Sequence, residues 1–326
     1  MKNKLANTAA LIYEELRNRG VSVTVVSKHP SLLKYEIHGQ VHYIHSVVSD
    51  NESAVAYAVA QNKWLTSVVC NDLKVSHPVS LTVEGDSSEA EEFLAEYKKI
   101  AVKPLSGAHG NGITLNVDNR DALKLAISVA KKYDSCILLQ QMVDGEDFRI
   151  VFVGGVFVAA IRRTPAQVIG DGKHTLRELI DSENESPDRG GDVLGVSTRK
   201  RIPLIHAKSF LGFRYESETP KAGQQVQVVG PANLGTGGWA RDATDEVPTN
   251  LINDAKKIVD SLRFSVCAID FLYSGPNSYY LIEVNSAPGL NIHDDGRFGR
   301  SRGVVAAYVD HLLRTSGGTI DNSYIK

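Results

Sequence analysis

The chain has 326 residues, of which 42% are hydrophobic and 23% are charged, and its formal net charge is −2. This balance is typical of a soluble globular protein, and the length is sufficient for two or three subdomains. The near-neutral charge gives no indication of a nucleic-acid or membrane partner. The basic cluster TRKR (198–201) is local, which leaves open either a solvated surface or a site for a small anionic ligand.

Cysteine content and the N-terminal segment favour a cytoplasmic protein. The three cysteines, Cys70, Cys136 and Cys267, are far apart and lack metal-ligand spacing, which is typical of a reducing compartment. Glu14 and Glu15 interrupt the first apolar stretch, so the N-terminus is not expected to be a signal peptide.

The predicted elements alternate between helices and strands along the whole chain. The longest apolar run, IVFVGGVFVAAI (150–161), is too short to span a bilayer, and its central Gly-Gly predicts a β-hairpin. Residues 1–60 are predicted to form a helix, three strands and a helix, and residues 61–100 a helix, a strand and a helix. Residues 101–165 are predicted to form a strand, a glycine loop, a strand, a helix, a strand and the hairpin. A polar, irregular segment with one helix extends to residue 222 and is followed by a second glycine-rich stretch, a helix, a strand pair and a final helix. This mixture predicts an α+β (α/β) protein with more than one sheet.

The strand pair near the C-terminus carries acids in otherwise apolar sequence. Glu283 and Asn285, two residues apart in YYLIEVN, project from the same face, and Asp270 lies in the preceding strand. If residues 275–278 form a four-residue loop, Ser274 pairs with Tyr279 and Asp270 lies opposite Glu283. Opposed like charges destabilise a sheet, and these oxygen ligands suit Mg²⁺ better than zinc or copper. The alternative is a surface hairpin with solvated acids.

Two glycine-rich loops are candidate ligand-binding segments. The first, in VKPLSGAHGNGITL, follows Lys103 and contains Gly107, Gly110 and Gly112, so it is either a phosphate-binding flap or an ordinary hairpin. Its glycine spacing opposes the dinucleotide fingerprint, and the chain contains no GxxxxGK[ST] loop. The second, PANLGTGGWARDATDE (231–246), is either a substrate loop or a glycine-rich surface loop.

Five segments in one order resemble the ATP-grasp superfamily, in particular the ATP-grasp domains of cyanophycin synthetase and of bifunctional glutamate–cysteine ligase/glutathione synthetase. They are NKWLT (62–66), VKPLSGAHGNGI (102–113), GEDFRIVFVGGVFVAAIRRTPAQVIGDGKHTLRELI (145–180), ANLGTGGWARDATDE (232–246) and AIDFLYSGPNSYYLIEVNSAPGLNIH (268–293). The resemblance implies an ATP-grasp fold in which two α+β subdomains grip ATP. A short pre-ATP-grasp-like α/β unit would span residues 1–60 and the ATP-grasp domain residues 61–326, with a flap subdomain at about 100–165 and a metal-binding subdomain at about 166–315.

The resemblance also implies a role for each matching residue. Lys63 and Lys103 would contact ATP phosphates, and Asp147 would hold the ribose. Asp270, Glu283 and Asn285 would bind two Mg²⁺ ions, with Mn²⁺ as a possible substitute. The flap over the phosphates would include Ser106, Gly107, His109 and Gly110, and the hinge that reads adenine would be Gln140, Gln141, Met142 and Val143.

The implied reaction joins a carboxylate to an amine through an acyl phosphate, on amino acid or small peptide substrates. Arg163 and Arg149 are candidates for stabilising the oxyanion, with a salt bridge on the hairpin as the alternative for each. Asn233, Gly237 and Gly238 would line the substrate side, and His293 would either face the same pocket or serve structure.

Other readings remain open alongside this ligase. They are a glutathione-synthetase-like activity on a γ-glutamyl dipeptide and glycine, a kinase on the same fold, and a non-catalytic nucleotide-binding module. The hinge sequence QQMV and the bulky Trp239 and charged Arg241 depart from the family pattern, which leaves the substrate undefined. The additional domains of both named relatives are not seen in the chain, so polymerisation or a two-step pathway is not expected to carry over. The oligomeric state stays open, although a homodimer is common on this fold.

Overall fold

The computed structural model describes residues 5–106, 112–187, 189–190, 199–230 and 232–316. It divides into two compact units, each built from separate parts of the chain. Unit 1 comprises Met1–His77, Phe148–Ile161 and Asp242–Lys326, and unit 2 comprises Pro78–Asp147 and Arg162–Arg241. The predicted N-terminal unit therefore falls within unit 1, together with both strands of the acidic pair.

The α-helices of the described residues follow the predicted order closely. They are α1 (Asn7–Asn18), α2 (Ala54–Gln61), α3 (Lys63–Asp72), α4 (Ser88–Tyr97), α5 (Arg120–Ala130), α6 (Leu176–Glu185), α7 (Leu204–Leu211), α8 (Arg214–Ser217), α9 (Thr249–Leu262), α10 (Asn291–Asp294) and α11 (Val304–Ser316). None of the described helices is long and apolar enough to cross a membrane.

The strands form four sheets, as expected for a protein with more than one sheet. They are β1 (Ser22–Lys28), β2 (Ser31–Ile37), β3 (Gln40–His45), β4 (Val48–Ser49), β5 (Ser80–Val83), β6 (Ile100–Pro104), β7 (Thr114–Val117), β8 (Ile137–Gln141), β9 (Glu146–Val153), β10 (Val156–Thr164), β11 (Gln167–Ile169), β12 (Gln225–Gln227), β13 (Trp239–Asp242), β14 (Val266–Gly275) and β15 (Ser278–Asn285). The strand orders are β1-β2-β3-β4, β13-β10-β9-β14-β15, β11-β12 and β5-β8-β6-β7.

Unit 1 contains two hydrophobic clusters. In the first, α1 and α11 pack with the β1–β4 sheet, and residues such as Ile12, Leu33 and Leu312 are fully buried. In the second, α9 packs with residues of β9, β14 and β15. Six consecutive residues of β14, from Val266 to Phe271, are buried, as in a strand covered on both faces.

The hairpin predicted from the Gly-Gly dipeptide is confirmed as β9 and β10. Gly154 and Gly155 form the turn with φ angles of +54° and +81°. Positive φ at both central residues is the requirement of the tight turn that matches strand twist, and glycine adopts it without strain. The boundaries between the two units fall within these strands, so the hairpin contributes residues to both units.

The register of β14 and β15 corrects one expectation and confirms another. Gly275 pairs with Ser278, so the loop has two residues and the predicted pairing of Ser274 with Tyr279 is wrong. Asp270 nevertheless lies opposite Glu283, because an irregularity near the turn is offset by a second one between Asp270 and Phe271. The acid pairing therefore follows from two compensating bulges and not from the loop assumed.

Unit 2 also has two hydrophobic clusters. One lies between the β5-β8-β6-β7 sheet and the helices α4 and α5, with Phe93, Leu123 and Leu139 buried. The other packs α6, α7 and β12 around residues such as Ile180 and Leu211. The segment 166–222 is more helical than predicted, since α7 and α8 follow α6. The predicted turn into α6 is present, and a capping box between Thr175 and Glu178 fixes its start.

Candidate functional site

The acidic strand pair of unit 1 places three polar side chains together in an apolar sheet. Asp270 of β14 lies opposite Glu283 of β15, and the amide nitrogen of Asn285 lies 3.5 Å from an Asp270 carboxylate oxygen. Asp270 is only 4% exposed. Two carboxylates in this arrangement require a cation to offset their repulsion.

Arg149 of β9 supplies one such cation. Its Nε and Nη2 atoms each donate to a different carboxylate oxygen of Asp270, both at 2.7 Å, which is a bidentate pair. The salt bridge considered as the alternative role for Arg149 is therefore present, with Asp270 as the partner. The Glu283 carboxylate forms no hydrogen bond or ion pair with any described residue, so Arg149 pairs with only one of the two carboxylates.

The chemistry of these donors fits a hard divalent cation. The side-chain atoms of Asp270, Glu283 and Asn285 that can bind a metal are all oxygens. Mg²⁺ needs few protein ligands because it retains water and also binds substrate phosphates. No group of three or more histidine, cysteine, aspartate or glutamate side chains with metal-site geometry occurs in the described residues. The set is therefore suited to an ion shared with a phosphate ligand and not to an all-protein cage.

His293 of α10 is a buried histidine without a hydrogen-bond partner in the described part of the chain. It is 3% exposed, and neither Nδ1 nor Nε2 has a partner. Burial and the positive charge of Arg149 lower the pKa of His293 to about 3, although Asp242 acts in the opposite direction. The imidazole is therefore neutral at physiological pH, able to donate one hydrogen bond and accept another.

In unit 2, Lys103 and Gln140 come together on adjacent strands. The Lys103 Nζ atom donates to the Gln140 Oε1 atom at 2.5 Å, and the Gln140 amide nitrogen donates to the Ser80 hydroxyl at 3.1 Å. Both Lys103 and Gln140 are at most 9% exposed. Gln140, the first residue of the predicted hinge, thus fixes the position of the predicted phosphate-binding lysine.

The start of the flap is anchored, but most of the flap cannot be described. The Ser106 backbone N–H and hydroxyl both donate to the Asp134 carboxylate, and the hydroxyl contact is the main reason that the pKa of Asp134 is lowered. Gly107, His109 and Gly110 lie outside the described residues. Their predicted contact with phosphates stays a prediction.

The remaining hinge and lysine positions are partly exposed. Gln141 ends β8 and its N–H donates to the Val79 carbonyl at 2.9 Å, while Met142 and Val143 follow the strand. Lys63 is the first residue of α3 in unit 1, directly after the capping residue Asn62. The predicted ATP-binding residues are thus distributed over both units.

Arg163 and Asp147 form an ion pair on the hairpin within unit 2. The Arg163 Nε and Nη2 atoms lie 2.8 Å and 2.6 Å from Asp147 Oδ1. Arg163 is 7% exposed, whereas the Asp147 side chain retains 18% exposure. Asp147 therefore orients the predicted oxyanion-stabilising arginine and keeps a partly accessible carboxylate for the predicted ribose contact.

The second glycine loop has a close-packed backbone. The Gly238 N–H donates to the Asn233 carbonyl at 3.1 Å. A Cβ atom at Gly238 would come within 2.9 Å of the carbonyl oxygens of Asn233 and Thr164, so no larger residue fits without backbone movement. Gly237 adopts a φ of +86°. The loop thus holds Asn233 and Gly238 in one arrangement beside the end of β10.

Sequence reasoning missed the partners of the predicted site residues. Ser80 and Asp134 orient Gln140 and Ser106, and Arg189 binds the Gly237 carbonyl at 2.8 Å. No local motif marks these three residues, because each contacts a segment more than 25 positions away in the chain. Only the alternating acid–arginine pattern of the hairpin, EDFR followed by IRR, could have indicated the Asp147–Arg163 pair.

Comparison of the chain with known proteins finds similarity to an ATP-grasp domain and to two kinds of biosynthetic protein. Residues 70–177 match the model of the ATP-grasp domain of prokaryotic glutathione synthetase. A cyanophycin synthetase from a Synechocystis species is 30% identical over 293 residues, covering 86% of this chain and 33% of that protein. The glutathione biosynthesis bifunctional protein GshAB of Listeria monocytogenes is 26% identical over 295 residues, covering 87% of this chain and 38% of that protein.

Solved structures share the fold. The bifunctional glutathione synthetase of Pasteurella multocida has a TM-score of 0.62 and 23% identity, covering 95% of this chain and 44% of that chain. The D-alanine–D-alanine ligase of Bacillus anthracis has a TM-score of 0.52 and 13% identity, covering 81% and 71%. The chain spans about a third of the length of the curated relatives it matches. Fold and family-model match together show that the chain has the ATP-grasp fold.

Proposed function

We propose that the chain is an ATP-dependent carboxylate–amine ligase that forms an amide bond and releases ADP and phosphate. The observation that carries the proposal is the buried Asp270 carboxylate opposite the partly exposed Glu283, with Asn285 beside them and Arg149 paired with Asp270. A non-catalytic nucleotide-binding module has no need to place two carboxylates opposite each other in an apolar sheet. The ATP-grasp relatives support the same reaction class.

The first step brings two anions together, so the chain must supply positive charge. A substrate carboxylate oxygen attacks the γ-phosphorus of ATP, the bond to the β-phosphate oxygen breaks, and an acyl phosphate and ADP form. Lys103, held by Gln140, and Lys63 bind phosphate oxygens in this proposal. Asp270, Glu283 and Asn285 would hold Mg²⁺, which would supply the remaining neutralisation of the triphosphate.

The second step forms the amide. The amine nitrogen attacks the acyl carbon, phosphate leaves, and the nitrogen loses a proton. The tetrahedral intermediate carries an oxyanion, which Arg163 stabilises after Asp147 has fixed its guanidinium in place. Asn233 and Gly238 position the substrate, and the flap at Ser106 excludes the water that would hydrolyse the acyl phosphate.

His293 and Arg149 have supporting roles in this proposal. Arg149 holds Asp270 in place through the bidentate pair and so acts as a positioning residue. His293, neutral and without a partner among the described residues, provides a hydrogen bond to a substrate or phosphate oxygen. Its burial keeps the imidazole from competing as a second cation.

The substrates are proposed to be amino acids or short peptides, since the relatives that match over most of this chain are amide-forming synthetases of that kind. The specific second candidate is ligation of a γ-glutamyl dipeptide with glycine, which the match to the glutathione synthetase model favours. Trp239 and Arg241 of the second loop are the residues expected to separate the two candidates.

The number of metal ions, replacement of Mg²⁺ by Mn²⁺, the homodimer and the cytoplasmic location stay predictions. Calorimetric titration of Mg²⁺ and Mn²⁺ into the ADP-bound protein gives the ion count, and two sites are expected. Sedimentation equilibrium gives the assembly state.

The test of function is ADP formation from Mg²⁺-ATP with amino acids and short peptides, supplied singly and in pairs, followed by mass spectrometry. We expect ADP only with a pair, and a product lighter than the sum of its substrates by one water. A phosphorylated product without an amide would identify a kinase instead. ATP binding without turnover under all pairs would support the binding module.

A binding control separates the nucleotide site from the chemistry. Lys103→Ala should weaken ATP binding about tenfold, because one charge-assisted contact is lost. Lys99→Ala, at an exposed lysine directly before the same strand, is the matched control and should leave ATP affinity unchanged. Equal ATP affinity in the wild type and Lys103→Ala, measured by calorimetry, contradicts the phosphate role.

A further inference from the structure

Unit 2 contains a cavity that the proposed reaction does not yet use. It has a volume of about 560 Å³. It lies between the segment from the end of β10 through β11 (Thr164–Ile169), helix α6, and residues Gly237 and Trp239 of the second glycine loop. This volume is within the range of small-molecule sites, about 300–1,000 Å³. Pro165, Leu179 and Trp239 supply apolar surface, and Gln167, Ser182 and Arg199 supply polar groups. The cavity can therefore accept a molecule with both a carbon chain and a polar end.

One of the two arginines at this cavity, Arg189, forms hydrogen bonds within the protein through its Nε and Nη1 atoms. Arg189 Nε donates to Glu183 at 2.6 Å, and its Nη1 atom donates to the carbonyls of Lys200 and Gly237 at 2.9 Å and 2.8 Å. The Arg189 side chain is only 2% exposed. Its charge is balanced by Glu183, so Arg189 shapes the wall and does not attract an anion.

Arg199 is held differently. Its guanidinium carbon lies 4.5 Å from the centre of the Trp239 ring, a cation–π contact that fixes the group against the cavity wall. None of the carboxylates in the described residues forms an ion pair with Arg199. The stacked face of the guanidinium is satisfied by the indole. Its N–H donors lie in the plane of the group and have no carboxylate partner in the described residues, so they suit a planar bidentate partner.

The cavity also adjoins the predicted substrate residues of the same unit. Thr164 directly follows Arg163, and Gly237 and Trp239 flank Gly238. A substrate whose reacting end contacts Arg163 and Gly238 therefore has this cavity as its adjacent space. The basic cluster TRKR, which the sequence left as a surface or an anion site, contributes Arg199 to it.

We propose that this cavity is a specificity subsite that binds a free carboxylate of the substrate, other than the one that is activated. Arg199 forms a bidentate pair with that carboxylate, and Trp239 packs against Arg199 and the substrate carbon chain. The substrate class is an amino acid or short peptide with an unblocked second carboxylate. This inference rests on the proposed ligase function for the identity of the ligand as substrate.

The experiment uses Trp239 as its own reporter. The chain has two tryptophans, so Trp64→Phe leaves Trp239 as the only one. The probes are the N-acetylated standard amino acids, each with a free α-carboxylate, and their α-amides. We expect Trp239 fluorescence to change on titration with acids of one side-chain class, and the matching amides to bind about tenfold more weakly or worse.

Variants of Arg199 test the contact directly in the Trp64→Phe background. Arg199→Gln should weaken acid binding about tenfold and abolish the preference for acid over amide. Arg199→Lys should give an intermediate affinity, because it keeps the charge but not the planar fork. Arg201→Gln is the matched control, since Arg201 is exposed and two residues away, and it should bind as the parent does.

Two results would overturn the proposal. One is the absence of any carboxylate-dependent fluorescence change across the panel, and the other is unchanged acid preference in Arg199→Gln. Because the titration contains no ATP, it does not depend on turnover. Carboxylate binding without amide formation would retain the subsite and remove the ligase, whereas amide formation with an unaffected Arg199→Gln would retain the ligase and remove the subsite.

Discussion

Two arginines of the β9–β10 hairpin each pair with an aspartate, and the two pairs have opposite burial. In the Arg149–Asp270 pair, the aspartate is the more buried member, with side-chain exposures of 16% and 6%. In the Arg163–Asp147 pair, the arginine is the more buried member, at 6% against 18%. The first pair lies in unit 1 beside Glu283 and Asn285. The second lies in unit 2, where Arg163 directly precedes Thr164, the last residue of β10.

The difference indicates a different purpose for each pair. A buried carboxylate next to a second carboxylate is unfavourable without a cation, so Arg149 stabilises the acidic cluster. A buried arginine with a more accessible carboxylate is an arginine held in one orientation, which suits stabilisation of developing charge. In the proposed function, the same residue types would serve a metal-binding set in one unit and a substrate-facing guanidinium in the other.

The largest expected effect comes from removing Arg149. Arg149→Met leaves the Asp270 carboxylate buried without its partner, and this should lower the free energy of unfolding by about 3–5 kcal/mol. Arg163→Met is the matched variant and should cost less, because Asp147 is better hydrated. Thermal unfolding followed by circular dichroism measures both, and equal losses would contradict the assignment of different roles.

Glu283→Gln should chiefly affect catalysis. The Glu283 carboxylate has no hydrogen bond or ion pair within the described residues, so its neutralisation should leave the melting temperature nearly unchanged. The turnover rate should fall about 10²–10³-fold, as for loss of one electrostatic contact in a transition state, and a higher Mg²⁺ concentration should be needed for half-maximal rate. Glu14→Gln on the exposed face of α1 is the control. Wild-type turnover at low Mg²⁺ in Glu283→Gln would remove Glu283 from the metal set.

His293 predicts a pH dependence of stability. Its pKa of about 3 in the folded state is below the unfolded value of 6.5, so only the unfolded state gains a proton as the pH falls between these values. His293 should therefore cost up to about 1.4 kcal/mol of stability per pH unit below pH 6.5, and nothing above it. The difference in stability between wild type and His293→Leu should shift by this slope. A pH-independent difference would show that His293 is not buried as a neutral group.

The same measurement in an Arg149→Met background sharpens the comparison. Burial is the main cause of the low pKa of His293 and the Arg149 charge is the second. Removing the charge should therefore raise the pKa only in part, and the acid slope should begin to level off at a higher pH. An unchanged profile would mean that Arg149 does not act on His293.

The smallest effect is expected for Asp147→Asn. The asparagine oxygen can still accept a hydrogen bond from Arg163, so stability should change by about 1 kcal/mol or less. If Asp147 also contacts the ribose, the KM for ATP should rise a few-fold while the KM for the carboxylate substrate stays constant. A rise in the substrate KM alone would assign Asp147 to orienting Arg163 only.

The sequence predicted most elements and the order of the motifs, because helix periodicity, strand alternation and glycine turns are local properties. The hairpin at Gly154–Gly155 and the turn into α6 are such cases. The two helices α7 and α8 were missed because their segment is polar and short, and its apolar residues Ala207, Leu211 and Tyr215 are recognisable as core only once they pack on α6.

By itself the sequence determined which residues are candidates for the chemistry: Asp270, Glu283 and Asn285 are conspicuous because charged and amide groups are costly in an apolar strand unless they have a function. Only the tertiary structure decided what each of them contacts. Arg149 binds Asp270, which lies 121 positions away in the chain, and Lys103 binds Gln140, which lies 37 positions away. Arg199 stacks on Trp239 at the wall of a cavity. The physical reason is that ion pairs and cavities depend on which strands become neighbours, and that choice is made by the packing of the whole unit and not by local sequence.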